Sequence, residues 1–298
     1  QIPLTDDILS KHVLFLGEIG SGKTNAILHL ISQLRKGMTQ NDVMIIFDTK
    51  GDFYAEFYQP GDIVISNDRK ATGLAGADYW NIFREVGVDE ALEENISEIT
   101  RSLFYERSQR SSQPFFPNAA KDLFTGIMLH FYRKQPDKAN NAEMRKFLDA
   151  SSSADIRELL QQHDDLKAMA SYISDDRSPQ TQGVISELQQ MVRDIFVGNF
   201  RKSGSLSMRE TVRKKGGQVI FIEYDLGMGN VLTPIYRLLV DLAIKEALCR
   251  SKSEGNVWFI IDEFRLVPNL QHVDDGINFG RSLGAKFVIG IQNIEQIF

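Results

Sequence analysis

Apolar residues follow two kinds of spacing along this chain, and the spacing changes twice. From residue 12 to 65 short apolar runs alternate with amphipathic stretches: HVLFLG, a helix through Leu34, VMIIFD, then a short segment ending in DIVIS. A run as continuous as Val43–Phe47 suits a parallel strand covered on both faces, and strand–helix–strand alternation predicts a parallel α/β sheet. Between about 88 and 205 the apolar positions recur at helical spacing instead: Leu92, Ile96, Ile99 and Leu103; Leu123, Ile127 and Phe131; Val184, Leu188, Val192 and Ile195. Ser178-Pro179 ahead of the last group reads as an N-cap followed by proline at the first helical position. Ser151–Ser153 and Ser174–Ser178 are polar breaks between helices. After residue 215 strand writing returns in QVIFIEY, NVWFIID and KFVIGIQ, with helices expected near 233–250 and 274–283. The pattern predicts a discontinuous α/β domain, residues 1–87 and 206–298, interrupted by an all-helical insertion over 88–205. No repeat at a solenoid period is visible.

At 298 residues there is room for about two domains with a core that needs neither disulfides nor metal. A net charge of −6 excludes a uniformly basic nucleic-acid coat, so any contact with nucleic acid must come from a local basic feature. Cys249 is the single cysteine, which excludes an internal disulfide framework and fits a reducing compartment. The five histidines, His12, His29, His130, His163 and His272, are too scattered in sequence to suggest zinc. No apolar run approaches the roughly 18 residues of a membrane span, and the opening QIPLTDD is neither a signal peptide nor an initiator methionine. We therefore expect a soluble excerpt of something longer.

Residues 17–24, GEIGSGKT, match the pattern G-x-x-x-x-G-K-[ST] and lie between an apolar strand and a helix, the context that pattern requires. Such a loop wraps an oligophosphate with backbone N–H groups, and Gly17, Gly20 and Gly22 supply the turns and the close approach. Glu18, Ile19, Ser21 and Asn25 complete the cradle. Lys23 is placed to reach the β- and γ-phosphates of ATP and Thr24 to ligate Mg2+. NVWFIIDEF sets Asp262 and Glu263 where a buried strand ends, the place where ligand sites of α/β sheets gather. Asp262 suits the metal and Glu263 the attacking water, although acids there can also cap the next segment. Gln292 ends the last strand; its amide can orient water or report phosphate loss, or be a plain strand-end polar residue.

GEIGSGKT together with FDTKGDFY (47–54), YWNIF (79–83), FIIDEF (259–264), GRSLGAKF (280–287) and GIQN (290–293) resembles the TraG/TraD-type coupling ATPases of conjugation and type IV secretion, relatives of the FtsK and HerA translocases. The resemblance covers nearly the whole chain. It implies a RecA-like P-loop NTPase whose mainly parallel sheet is sandwiched by helices and interrupted by an all-α domain soon after Phe83, with PFFPNAAKDLF (114–124) opening a helix within it. It implies hexamers in which a neighbour's arginine, here Arg281, completes each ATP site. Without the resemblance Arg281 reads as a solvated surface residue. Lys50 matches a family position near the nucleotide, and Asp48 would orient its loop.

The partners implied are single-stranded DNA, relaxosome or effector proteins and components of a secretion channel, at the cytoplasmic face of a bacterial inner membrane. The membrane would be met only through a segment absent here. The departures from the family are the missing N-terminal anchor and the stop at Phe298, short of its last strands. The best candidate for DNA is the basic run Arg201–Lys215, with Arg201, Lys202, Arg209, Arg213, Lys214 and Lys215 against Glu210, though VRKKGG reads equally well as a surface turn. Two other functions stay open: an FtsK- or HerA-like translocase or protein-secretion ATPase, and a docking module with minor hydrolysis.

Overall fold

In the computed structural model of the chain six strands lie in one sheet, β1 (Val13–Leu16), β2 (Val43–Asp48), β3 (Ile63–Ile65), β4 (Val219–Glu223), β5 (Val257–Ile261) and β6 (Ala285–Ile291). Their order is β1-β6-β5-β2-β4-β3 and every pairing is parallel. The structure describes residues 5–18, 20–67, 79–87, 91–249 and 255–293. β2, β5 and β6 are buried along their whole length, as continuous apolar runs require. β1 differs. It is an edge strand in which every second residue is exposed, Leu14 at 53% and Leu16 at 54%.

The chain separates into two units, one of residues 1–75 and 208–298 and one of 76–207. In the first, α2 (Lys23–Gly37) and α3 (Asp52–Phe57) cover one sheet face, where Ile27, Leu30, Ile31 and Phe53 join Met44, Ile46, Phe221, Ile260 and Val288 in one buried cluster. Leu9 of the short α1 (Asp6–Leu9) belongs to the same cluster. On the other face Tyr236 of α10 (Gly229–Leu248) meets Phe47 edge-on, and Gly276 of α11 (Val273–Leu283) lets the Phe287 ring approach.

α9 (Met208–Lys214) takes one residue of the basic run, Arg209, out of the solvent-facing set. Arg209 is 1% exposed and its Nε lies 3.2 Å from Glu246, itself 2% exposed, while Arg213 takes the other oxygen of that carboxylate at 2.8 Å. A buried glutamate of α10 has to be neutralised, and these two arginines do so. Lys214 pairs with Glu210 one turn away, and Lys202 stacks on Tyr79.

The second unit is built from α4 (Leu92–Arg110), α5 (Phe115–Lys134), α6 (Asn141–Ala150), α7 (Ser153–Gln161) and α8 (Pro179–Ile195). α5 is its centre, with Leu123, Phe124, Ile127 and Met128 fully buried and Gly126 admitting Leu160. The serine breaks are caps: Ser152 forms a capping box with Asp155, and Ser178 accepts the Gln180 amide ahead of Pro179.

The edges of this unit fall at 75/76 and 207/208, whereas the sequence pattern placed them at 87/88 and 205/206. The cause is a buried polar clamp. Trp80 bridges to Leu206, and the Asn81 amide donates to the Ala139 and Gly204 carbonyls. Asn141, fully buried, accepts the Ile82 amide and donates to the carbonyls of Trp80 and Phe200. YWNIF therefore ties the entering and leaving strands of the insertion to its third helix rather than ending the sheet domain.

The histidines are also less scattered than their sequence spacing implies. His130 and His163 are buried with Nδ1 and Nε2 3.0 Å apart, and Gln135 donates to His130 Nε2 at 3.1 Å. That places the shared proton on His130 Nδ1, and a further proton would set N–H against N–H. Burial foremost, then neighbouring positive charge from His163 and Lys134 for His130 and from Arg133 and Lys134 for His163, holds both rings below the ordinary histidine value. No group of three or more metal-ligating side chains is present among the described residues.

Two outcomes follow from the helical unit. Asn141→Ala leaves an amide and two carbonyls unpaired and is expected to cost roughly 3 kcal/mol in denaturant unfolding. Because both histidines have depressed values when folded, stability is full above the unfolded histidine value of about 6.5 and falls as pH drops below it. Thermal midpoints read between pH 8 and 5 should show that slope, flattened in His163→Gln.

Candidate nucleotide site

The loop after β1 turns on glycine. Gly20 and Gly22 have φ of 84° and 87°, in the left-handed region, and a Cβ at Gly17 would stand 2.4 Å from Ser21 Oγ. Gly22 caps α2 without any side-chain hydrogen bond, so the first N–H groups of a 15-residue helix are left for an anion. Lys23 has no ion-pair or hydrogen-bond partner among the described residues. Gly17, Glu18, Gly20, Ser21, Gly22, Lys23, Thr24 and Asn25 stand on this turn; Ile19 lies outside the described residues.

Register brings the acids to the loop. β1 pairs with β6 through Leu16 and Ile291, and β6 pairs with β5 through Ile289 and Ile261, so the carboxyl ends of three strands lie side by side. Thr24 Oγ1 donates to Asp262 Oδ2 at 2.9 Å across 238 positions of sequence. Asp262 is 8% exposed, and among the described residues its Oδ1 has no hydrogen-bond partner. Gln292 donates to Glu263 Oε2. Arg265 Nε stands 3.3 Å from Glu263 Oε1 without hydrogen-bond geometry, leaving that atom also unsatisfied.

A cleft of about 610 Å³ opens between these groups, lined by Lys23, Thr24, Asp262, Glu263 and Gln292 and, farther along the sheet, by Thr49, Lys50 and Tyr224. Asp48 does not face it. It is 1% exposed and accepts the amides of Lys50, Gly51 and Tyr54, shaping the turn that presents Thr49 and Lys50. Burial pushes its carboxyl above the ordinary value, and the three amides oppose that.

Arg281 is not part of this cleft. It lies in the last turn of α11, 56% exposed, with Nη2 2.9 Å from Asp7. The sequence reading missed Thr49, Tyr224, Leu226, Arg265 and Leu266 as cleft residues. Their signal was available: each follows the end of β2, β4 or β5, where ligands of parallel sheets bind.

The donor set fits a phosphate-bound divalent cation. A hydroxyl and a carboxylate oxygen share one hydrogen bond, and the second carboxylate oxygen is buried without a partner beside the anion-binding turn.

The family model for the type IV secretion-system coupling protein DNA-binding domain matches residues 1–298. The chain belongs to that family. No curated protein matches it by sequence. Among solved structures it is similar to the bacterial conjugative coupling protein TrwBdeltaN70 in its unbound form, at 20% identity and a TM-score of 0.77, covering 98% of this chain and 64% of that one. Plasmid coupling protein TrwB in complex with ADP and Mg2+ matches at 20% identity and 0.77, over 99% and 67%. VirB4 of Thermoanaerobacter pseudethanolicus matches at 13% and 0.51, over 96% and 71%. The chain thus spans about two thirds of the TrwB length, and the likeness carries the RecA-like α/β fold. No helix among the described residues is long and apolar enough to cross a membrane.

Gly290 holds the acids against the last strand. A Cβ there would stand 2.3 Å from the Asp262 carbonyl oxygen and 3.0 Å from its Oδ1. Gly290→Ala is expected to destabilise by roughly 1–3 kcal/mol in denaturant unfolding, because backbone has to move. Thr24→Ala makes no clash but leaves Asp262 Oδ2 without its hydrogen bond, and should cost about 1–3 kcal/mol in the same measurement.

Proposed function

We propose that this chain is the ATP-hydrolysing motor of a conjugative or type IV secretion coupling protein that moves single-stranded DNA, alone or with bound protein. The observation that carries this reading is the Thr24–Asp262 contact, which joins the phosphate turn to an acidic strand end in one cleft. In this reading the amides of residues 20–25 and the Lys23 ammonium bind the β- and γ-phosphates. Thr24 and Asp262 hold Mg2+, which neutralises charge on the transferring phosphoryl group. Glu263 takes the proton of the water that attacks phosphorus, and Gln292, through its bond to Glu263 Oε2, fixes where that carboxylate stands. The burial of Asp262 keeps bulk water from competing for it.

Arg281 serves the neighbouring subunit of a hexamer. Its exposure supports this role, as does Ile277 one turn before it on the same side of α11, 43% exposed. Buried apolar contact across that face, with arginine at its margin, suits a second copy of the chain. Relaxosome or effector proteins and a secretion channel at the cytoplasmic face of a bacterial inner membrane are the corresponding partners. DNA contacts come from residues other than Arg209, which is buried against Glu246.

The test is turnover by the full-length protein with and without single-stranded DNA. Lys23→Ala should lose nucleotide binding and turnover together. Glu263→Gln should keep binding and lose about 10²-fold or more in turnover. Near-normal turnover in either variant overturns the motor reading, and a basal rate unchanged by DNA overturns the substrate.

A further inference from the structure

Residues 5–12 are fastened across the corner between α11 and β6. Leu9 is buried in the sheet core. Asp6 pairs with Lys286, whose side chain is 3% exposed and whose ammonium stands 4.7 Å over the Trp258 ring. His12, at a φ of 65°, accepts the Phe287 amide at Nδ1 and donates from Nε2 to the Ile277 carbonyl, at 3.2 and 3.0 Å. Its ring meets that of Phe287 edge-on at 5.2 Å. These contacts grip both sides of the turn at Gly284, the last turns of α11 and the first residues of β6.

Asp7 is thereby set beside Arg281. Its Oδ1 accepts from Arg281 Nη2 at 2.9 Å and its Oδ2 stands 3.1 Å from the Lys11 ammonium. Lys11 foremost, and Arg281 with it, holds the Asp7 carboxyl below its ordinary value, so it stays ionised at neutral pH. A guanidinium offers five N–H donors in a planar fork. Asp7 engages Nη2, and no other described residue bonds to the rest.

An exposed arginine surrenders rotamer freedom when it engages a phosphate, and one that is already ordered surrenders less. We propose that Asp7 is a positioning residue for Arg281, pre-ordering the guanidinium that reaches the neighbouring subunit's phosphates. This rests on the trans-arginine reading above and goes beyond it by naming what sets the arginine. The pair restrains rather than blocks. It is a single-nitrogen contact between side chains 56% and 62% exposed, and such pairs are weak enough for phosphate oxygens to displace or share.

Two measurements on the full-length protein decide it. The first is modification of Arg281 by phenylglyoxal, followed by peptide mass spectrometry without nucleotide. Asp7→Ala should speed it about two- to fivefold, the factor that an exposed ion pair supplies, and Asp7→Glu should restore most of the protection. The second is turnover. Asp7→Ala should lower kcat about two- to fivefold with KM little changed, and should have no further effect in an Arg281→Ala background. An unchanged labelling rate, or an added loss in the Arg281→Ala background, overturns the assignment of Asp7. Full turnover by Arg281→Ala alone sinks the trans-arginine reading and this inference with it. Loss in Arg281→Ala beside full turnover in Asp7→Ala sinks the role of Asp7 only.

Discussion

The site depends on one constraint of sheet register: the carboxyl ends of β1, β5 and β6 must emerge side by side, Leu16 opposite Ile291 and Ile261 opposite Ile289, with no side chain at Gly290 between β6 and β5. Register sets which residues emerge together, and a one-residue slip would turn the side chains of a strand to the opposite face. Here that register brings Thr24 within 2.9 Å of Asp262 and Gln292 onto Glu263, although these residues come from segments far apart in sequence. Glycine at 290 is what permits the closest approach, because any side chain would meet the Asp262 backbone. The phosphate turn, the acids and the amide are therefore one geometric unit.

The helical insertion is compatible with that unit because it closes on itself. β3 and β4 pair directly in register, Ile63 with Ile220 and Ile65 with Ile222, although the whole insertion separates them in sequence. Loop-closure entropy rises only slowly with length, so a long excursion is tolerated if its ends are pinned together. Asn81, Asn141 and the Trp80–Leu206 bridge do the pinning, with every polar group of the clamp named above satisfied inside the helical unit.

Much of this was legible in the residues. Continuous apolar runs at Val43–Phe47 and Trp258–Ile261 became buried parallel strands, helical spacing around Ile96 and Ile127 became α4 and α5, and Ser178-Pro179 became a capped start. What sequence spacing could not carry were contacts made by long-range pairing. β1 looks like the other strands, and its edge position follows only from the topology. Arg209 looks like part of a solvated basic run, and its burial follows from Glu246 on another helix. His130 and His163 lie 33 positions apart, and only the packing of α5 against the segment after α7 brings their nitrogens together.

The uneven distribution of polar satisfaction separates structure from chemistry in this molecule. Asp48, Asp241 and Glu246 are buried acids, and each has its oxygens occupied by backbone amides or arginine. Asp262 is nearly as buried, yet among the described residues its Oδ1 has no hydrogen-bond partner, and Oε1 of Glu263 meets only the Arg265 guanidinium, without hydrogen-bond geometry; both residues line the cleft. An unsatisfied buried carboxylate oxygen costs on the order of a few kcal/mol, which a fold maintains only where something outside the chain repays it. The residues that carry these oxygens line one cleft with a lysine that has no partner among the described residues and with the open start of α2. That coincidence, more than the sequence pattern of the turn, is the physical argument for a bound polyanion with its cation at this edge of the sheet.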